Sequence, residues 1–147
     1  MANNYVQFSF AIPYITDKEA AWVDAYLTDV LAQACSDEER QQFIENGGHC
    51  GFDYAFDESG LWIYSEESGV PELVAAFLRQ FLKANRPTKY IHFTWAATCS
   101  KMRLDEFYGG AVLVTATRAY YQEPFALEGR LLARLTRRQQ LTSVDKA

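Results

Sequence analysis

Within TWAATCSKMRLDEFYGGAVLVTATR, residues 94–118, stand the side chains best suited to nucleophilic chemistry: Cys99, with Lys101 and Arg103 close behind it and His92 seven residues before. A thiol becomes a nucleophile when a neighbouring cation or histidine lowers its pKa. Seven is an odd offset, so on a continuous strand His92 and Cys99 point to opposite faces. Cys99 therefore reads as a small apolar filler at a strand end. Metal binding asks for clustered ligands at a regular spacing. The nearest approach is His49-Cys50-Gly51-Phe52-Asp53, with no CxxC and no HxxxH, so no metal site is expected. Glu66 and Glu67 form a carboxylate pair, but neighbours on a strand diverge, and here they lead into a helix at Pro71, whose N-terminus favours negative charge. Neither GxxxxGK[ST] nor GxGxxG occurs, and Gly109-Gly110 opens a strand rather than a helix. No catalytic residue and no cofactor is assigned.

The composition fits a binding role better. The 147 residues, about half of them hydrophobic and 15% aromatic, can bury one core. No run approaches the ~18 apolar residues of a membrane span, and MANNYVQFSF lacks a basic segment ahead of an apolar one, so a soluble, cytoplasmic protein with no membrane partner is expected. Cys35, Cys50 and Cys99 are an odd set without a close pair, which points to reduced thiols. The net charge of −5 hides a division: residues 1–74 hold fourteen acidic side chains against Lys18 and Arg40, and residues 75–147 hold twelve basic against five acidic. Nucleic-acid binding through a sheet uses aromatics in a basic field. Tyr54, Trp62 and Tyr64 lie in the acidic half, so direct nucleic-acid binding is not expected, although the tail RLLARLTRRQQ is basic.

These residues must be held by regular elements. Tyr5 to Ile12 alternates as a half-buried strand closed by Pro13. Thr16 and Glu19 form a capping box, and the stripe from Trp22 to Ala34 predicts a helix over 17–35. Ser36 with Glu39 repeats the capping pattern and starts a short second helix, stopped at Asn46-Gly47-Gly48. Phe52–Asp57 and Leu61–Ser65 read as a hairpin. Pro71 opens a second long helix that ends near Lys83, Arg86 and Pro87. Tyr90–Thr98 and Ala111–Ala116 are strands, joined by a charged loop, 99–110.

The economical packing is an α+β two-layer sandwich: a mainly antiparallel sheet with two helices on one face, a ferredoxin-like β-α-β-β-α-β order plus an extra strand and a C-terminal helix. Residues 1–123 form the single domain, and 124–147 a basic amphipathic tail through Leu127, Leu131, Leu132 and Leu135. With Val6, Phe8, Phe10, Phe93 and Trp95 toward the helices, the other sheet face gathers Gln7, Ser9, His92, Thr94, Thr98, Trp62 and Tyr64. In the loop, Lys101 and Arg103 are placed to pair with Asp105 and Glu106, Phe107 and Tyr108 to pack down, and Gly109-Gly110 to form a bulge or positive-φ turn.

The residues WAATCSKMRLDEFYGGAVLVTA, with the upstream EESG and FLKANRP, resemble a family of small bacterial, plasmid and phage proteins that share a pattern close to WA-TCSK-R--EF-GGA--VTA. The likeness covers about 52–118. It implies a mobile-element setting and brings no established activity or catalytic residues. Tyr108 stands where the pattern suggests another glycine, and the tail beyond Tyr121 falls outside it.

The expectation is a small non-enzymatic binding protein that occupies a protein partner, such as a host defence or DNA-processing complex, through its acidic surface and the 99–110 loop. The binding residues expected are Glu66, Glu67, Trp62, Tyr64, His92, Lys101, Arg103, Asp105, Glu106 and Tyr108. The alternatives are an enzyme using the Cys99/Lys101 region and a structural homodimer.

Overall fold

A computed structural model describes residues 3–33, 37–104 and 106–145, with side chains at all of these except 124–127 and 140–145. Strand β1 (Asn4–Ile12) buries Phe8 and Ile12 and exposes Gln7, Ser9 and Ala11, as its alternation predicts. Helix α1 (Asp17–Thr28) begins with the full capping box: the Thr16 hydroxyl accepts from the Glu19 amide at 3.1 Å, and the Glu19 carboxylate accepts from the Thr16 amide at 3.0 Å. The predicted helix over 17–35 breaks at Asp29, whose backbone leaves helical geometry and whose carboxylate accepts from the Ala32 amide at 3.2 Å. An aspartate that caps a new turn competes with continuation of the old one. The new turn is α2 (Val30–Gln33).

Helix α3 (Asp37–Glu45) ends where expected, with the Gly48 amide reaching back to the Phe43 carbonyl at 2.8 Å. Cys35 and the predicted cap Ser36 lie outside the described residues; Glu39 forms an ion pair with Arg79. Strands β2 (Asp53–Asp57) and β3 (Gly60–Ser65) make the expected hairpin. Asp57 accepts from the Ser59 amide at 2.8 Å, and Gly60 follows at φ +107°, where an added Cβ would sit 2.1 Å from the Ile12 carbonyl oxygen. Helix α4 (Pro71–Asn85) carries Pro71 in its first turn and buries residues on most of its circumference.

Beyond β4 (Tyr90–Cys99) the structure departs from the single extra strand of the sequence reading. Both β5 (Tyr108–Thr115) and β6 (Ala119–Gln122) follow, joined by a tight turn in which the Thr115 amide donates to the Arg118 carbonyl at 2.7 Å. A four-residue strand gives too little alternation to announce itself. Helix α5 (Pro124–Asp145) completes the order. The sheet runs β2-β3-β1-β4-β5-β6, every neighbour antiparallel. Its first four strands have the ferredoxin-like order, and β5-β6 widens the sheet beside β4, giving an open α+β two-layer sandwich.

The core between α1, α3, α4 and the sheet is aromatic. Phe43, Phe77, Phe81 and Phe93 are fully buried, Trp22 stacks on Tyr26 at 5.2 Å, and Phe10 stacks on Phe93 at 4.9 Å. Each of the fully buried rings contributes about 1.5–3 kcal/mol by leaving water. At one end of this layer Arg86 joins the end of α4 to the start of α1: its Nε donates to Glu19 Oε2 at 2.7 Å, and its Nη2 donates to the carbonyls of Pro13 (3.2 Å) and Tyr14 (3.1 Å). Tyr14, at φ +58°, is the one non-glycine residue in left-handed conformation among those described. Among the described residues no helix is long and apolar enough to cross a membrane.

Candidate functional site

The face of the sheet away from α1 and α4 is assembled by register. Tyr64 lies between Ser9 and Asp53, and Trp62 between Ala11 and Ala55. Two residues apart on β3, the two side chains project from the same face of the sheet. They stack on each other at 3.9 Å with planes 21° apart, and the Trp62 indole N–H donates to Ser9 Oγ at 2.9 Å. The hydrogen bond satisfies the indole's one polar group and fixes its rotamer before any partner arrives. The stretch of chain that carries the stack has charge of one sign: no Lys or Arg occurs between residues 41 and 78, and Asp53, Asp57, Glu66 and Glu67 are all exposed.

Glu66 and Glu67 sit on a segment pinned to β1. The Gln7 side chain donates to the Glu66 carbonyl at 3.0 Å, and the Val6 amide donates to the Glu67 carbonyl at 2.8 Å. The backbone is held while both carboxylates stay in solvent. The 99–110 loop leaves the sheet at the same end, its base tied by the Ser100 amide to the Asn3 carbonyl and by the Asn3 amide to Ser100 Oγ, each at 2.8 Å. Beyond that tie Lys101 and Arg103 are exposed, and Met102 and Leu104 are 93% and 91% exposed.

Several loop expectations need correction. Among the described residues neither Lys101 nor Arg103 forms an ion pair with Glu106, and Asp105 lies outside them. Phe107 stays half exposed, and Tyr108 meets Trp95 edge-on at 5.7 Å, on the helix side of the sheet rather than on the open face. Gly109 and Gly110 make neither bulge nor positive-φ turn; they continue the ladder opposite Ala96 and Trp95. Glycine is required at 110 because the Trp95 indole occupies the space a side chain would take: an added Cβ would lie 2.9 Å from its Nε1 and 3.0 Å from the Gln122 carbonyl oxygen.

His92 lies on the open face opposite Leu113, with β1 between it and Trp62. Cys99 is buried on the other face, so the two are not assembled into a nucleophile and base. Cys50 is buried too, its thiol donating to the Phe52 carbonyl, and burial pushes its pKa up. The described residues contain no group of three or more His, Cys, Asp or Glu able to hold a metal.

Two features escaped the sequence reading. The β1–β4 ladder stops at Gln7 and Ala96, and beyond it, where β1 pairs with β3 and β4 with β5 but not with each other, a cleft of about 880 Å³ opens, lined by Tyr14, Lys18, Arg86, Lys89, Tyr90 and His92. A groove of about 480 Å³ also lies between α3, α4 and β6. Each joins residues more than 60 positions apart, which no local pattern announces. Comparisons with family models, curated proteins and solved structures return no match for this chain.

Proposed function

We propose that the protein is a non-enzymatic binding protein whose open sheet face recognises a basic surface of a protein partner. The observation that carries this reading is the preorganised Trp62–Tyr64 stack, anchored to Ser9, within a stretch of chain that carries acidic side chains and no Lys or Arg. An aromatic surface beside carboxylates suits the apolar stem and charged head of Lys or Arg, by cation–π attraction and charge-assisted hydrogen bonds. Glu66 and Glu67 extend the acidic field toward the 99–110 loop, where Met102 and Leu104 supply apolar contact. A host defence or DNA-processing complex, whose grooves are basic, is the class of partner such a surface competes for, in keeping with the mobile-element setting the loop motif implies.

The test is capture of partners from host lysate at low and high salt, followed by affinity measurement with the partner so identified. Tight binding should weaken steeply with salt, fall at least about tenfold in Trp62→Ala, and vanish when Glu66→Lys and Glu67→Lys are combined. Affinity indifferent to salt and to both changes would sink the proposal.

A further inference from the structure

Helix α5 is a structural oddity: every side chain described on it, from Glu128 to Gln139, is exposed, including Leu131, Leu132 and Leu135 at 45%, 54% and 52%. The three leucines fall on one side of the helix, with Arg134 and Arg138 one turn apart along one flank. A helix of 22 residues, about 33 Å long, gains most of its stability by burying such a stripe. None of these described side chains is buried against its own domain. Arg130 bonds the side chain of Gln122, which lies on the open face of the sheet.

The groove between α3, α4 and β6 has the opposite character. Ala75 and Ala76 form a floor that lets another backbone approach closely, Tyr121 and Ala119 form an apolar wall, and Glu38, Glu72 and Glu123 carry acidic charge around them. Among the described residues that line it, the one cation is Arg79, which is paired with Glu39. A basic helix with an apolar stripe and an acidic groove with an apolar floor thus occur on the same chain.

We infer that two copies of the chain exchange their α5 helices, each laying Leu131, Leu132 and Leu135 into the α3–α4–β6 groove of the other. The occupant is the helix of a second copy because α5 begins at Pro124, directly after the groove residue Glu123, and the Arg130–Gln122 bond holds its early turns beside its own open face, across the sheet from its own groove. Direct α5–α5 packing would set the arginines of one helix against those of the other, whereas the groove meets them with carboxylates. The exchange uses a different surface from the Trp62–Tyr64 face and stands or falls apart from it.

Light scattering across a concentration series of the full chain tests the exchange. The wild type should approach twice the 16.8 kDa chain mass. Arg134→Glu with Arg138→Glu, or Glu38→Lys with Glu72→Lys, should each raise the dimer dissociation constant about tenfold or more. Mixing the two charge-reversed proteins should restore a heterodimer, and placing all four changes in one chain should restore the homodimer, which also shows that the variants fold. A wild type that stays monomeric at low salt overturns the proposal, whether or not its α5 binds anionic vesicles or nucleic acid. So does a dimer indifferent to the groove changes, which would point to α5–α5 pairing.

Discussion

Glu19 and Arg86 show how one partly buried pair fixes two elements. Glu19 is only 6% exposed, yet it closes the α1 capping box and receives Arg86 from the end of α4. The Arg86 guanidinium holds the Glu19 carboxyl below its ordinary range, outweighing the opposing effect of burial, with the Thr16 amide adding to the lowering. A carboxylate with a depressed folded pKa contributes stability that is present above its unfolded pKa, ~4.3, and is lost as pH falls through the folded value. Glu19→Gln should therefore cost about 1–3 kcal/mol at pH 7, and the gap from wild type should narrow on acidification below about pH 4.5, as read by urea unfolding at several pH values. A gap constant with pH would mean that the pair contributes through shape alone. Residues at this scale were only half legible: Thr16 and Glu19 announce the cap by their spacing, whereas Arg86 comes 67 positions after Glu19 and nothing local connects them.

Among the elements, the strands and helices with long alternating or helical apolar patterns were readable, and the failures have local causes. Asp29 interrupts a stripe that continues through it, because a short polar side chain finds a better bond in capping the next turn. The four residues of β6 join the sheet only because β5 is already there to pair with. Gly109-Gly110 suggested a turn by composition alone, but its cause is the Trp95 ring across the strand, which only tertiary structure places there. Gly110→Val should destabilise by about 1–3 kcal/mol through overpacking against that ring and the β6 backbone, lowering Tm by several degrees in a thermal melt. An unchanged Tm would show that Trp95 moves aside freely. The open face was partly legible as well: alternation placed Ser9, Trp62, Tyr64 and His92 on it, while the Trp62–Ser9 bond and the position of Tyr108 on the other side emerged only with the register.

At the scale of the whole molecule, the sheet is two local modules joined by one strand. The β2-β3 hairpin and the β4-β5-β6 meander each pair neighbours in sequence, and β1 alone bonds both. Hydrogen exchange should accordingly find the slowest amides in the paired part of β1 and in the strands beside it, with α5 the fastest of the helices at concentrations where the chain is monomeric. Fast exchange in β1 would contradict this hierarchy. The order of the strands also bears on how the protein is made. Of the six strands of this sheet, the one synthesised first ends in the middle, and Asn4 cannot meet its partner Cys99 until the whole of β4 has been synthesised. Until then β1, with Val6, Phe8, Phe10 and Ile12, is an apolar ribbon whose second side has no partner. Closure of the sheet is thus set by the slowest and most distant pairing, and a nascent chain stalled before residue 90 would hold a hairpin, helices and an unfilled edge, a natural substrate for chaperones.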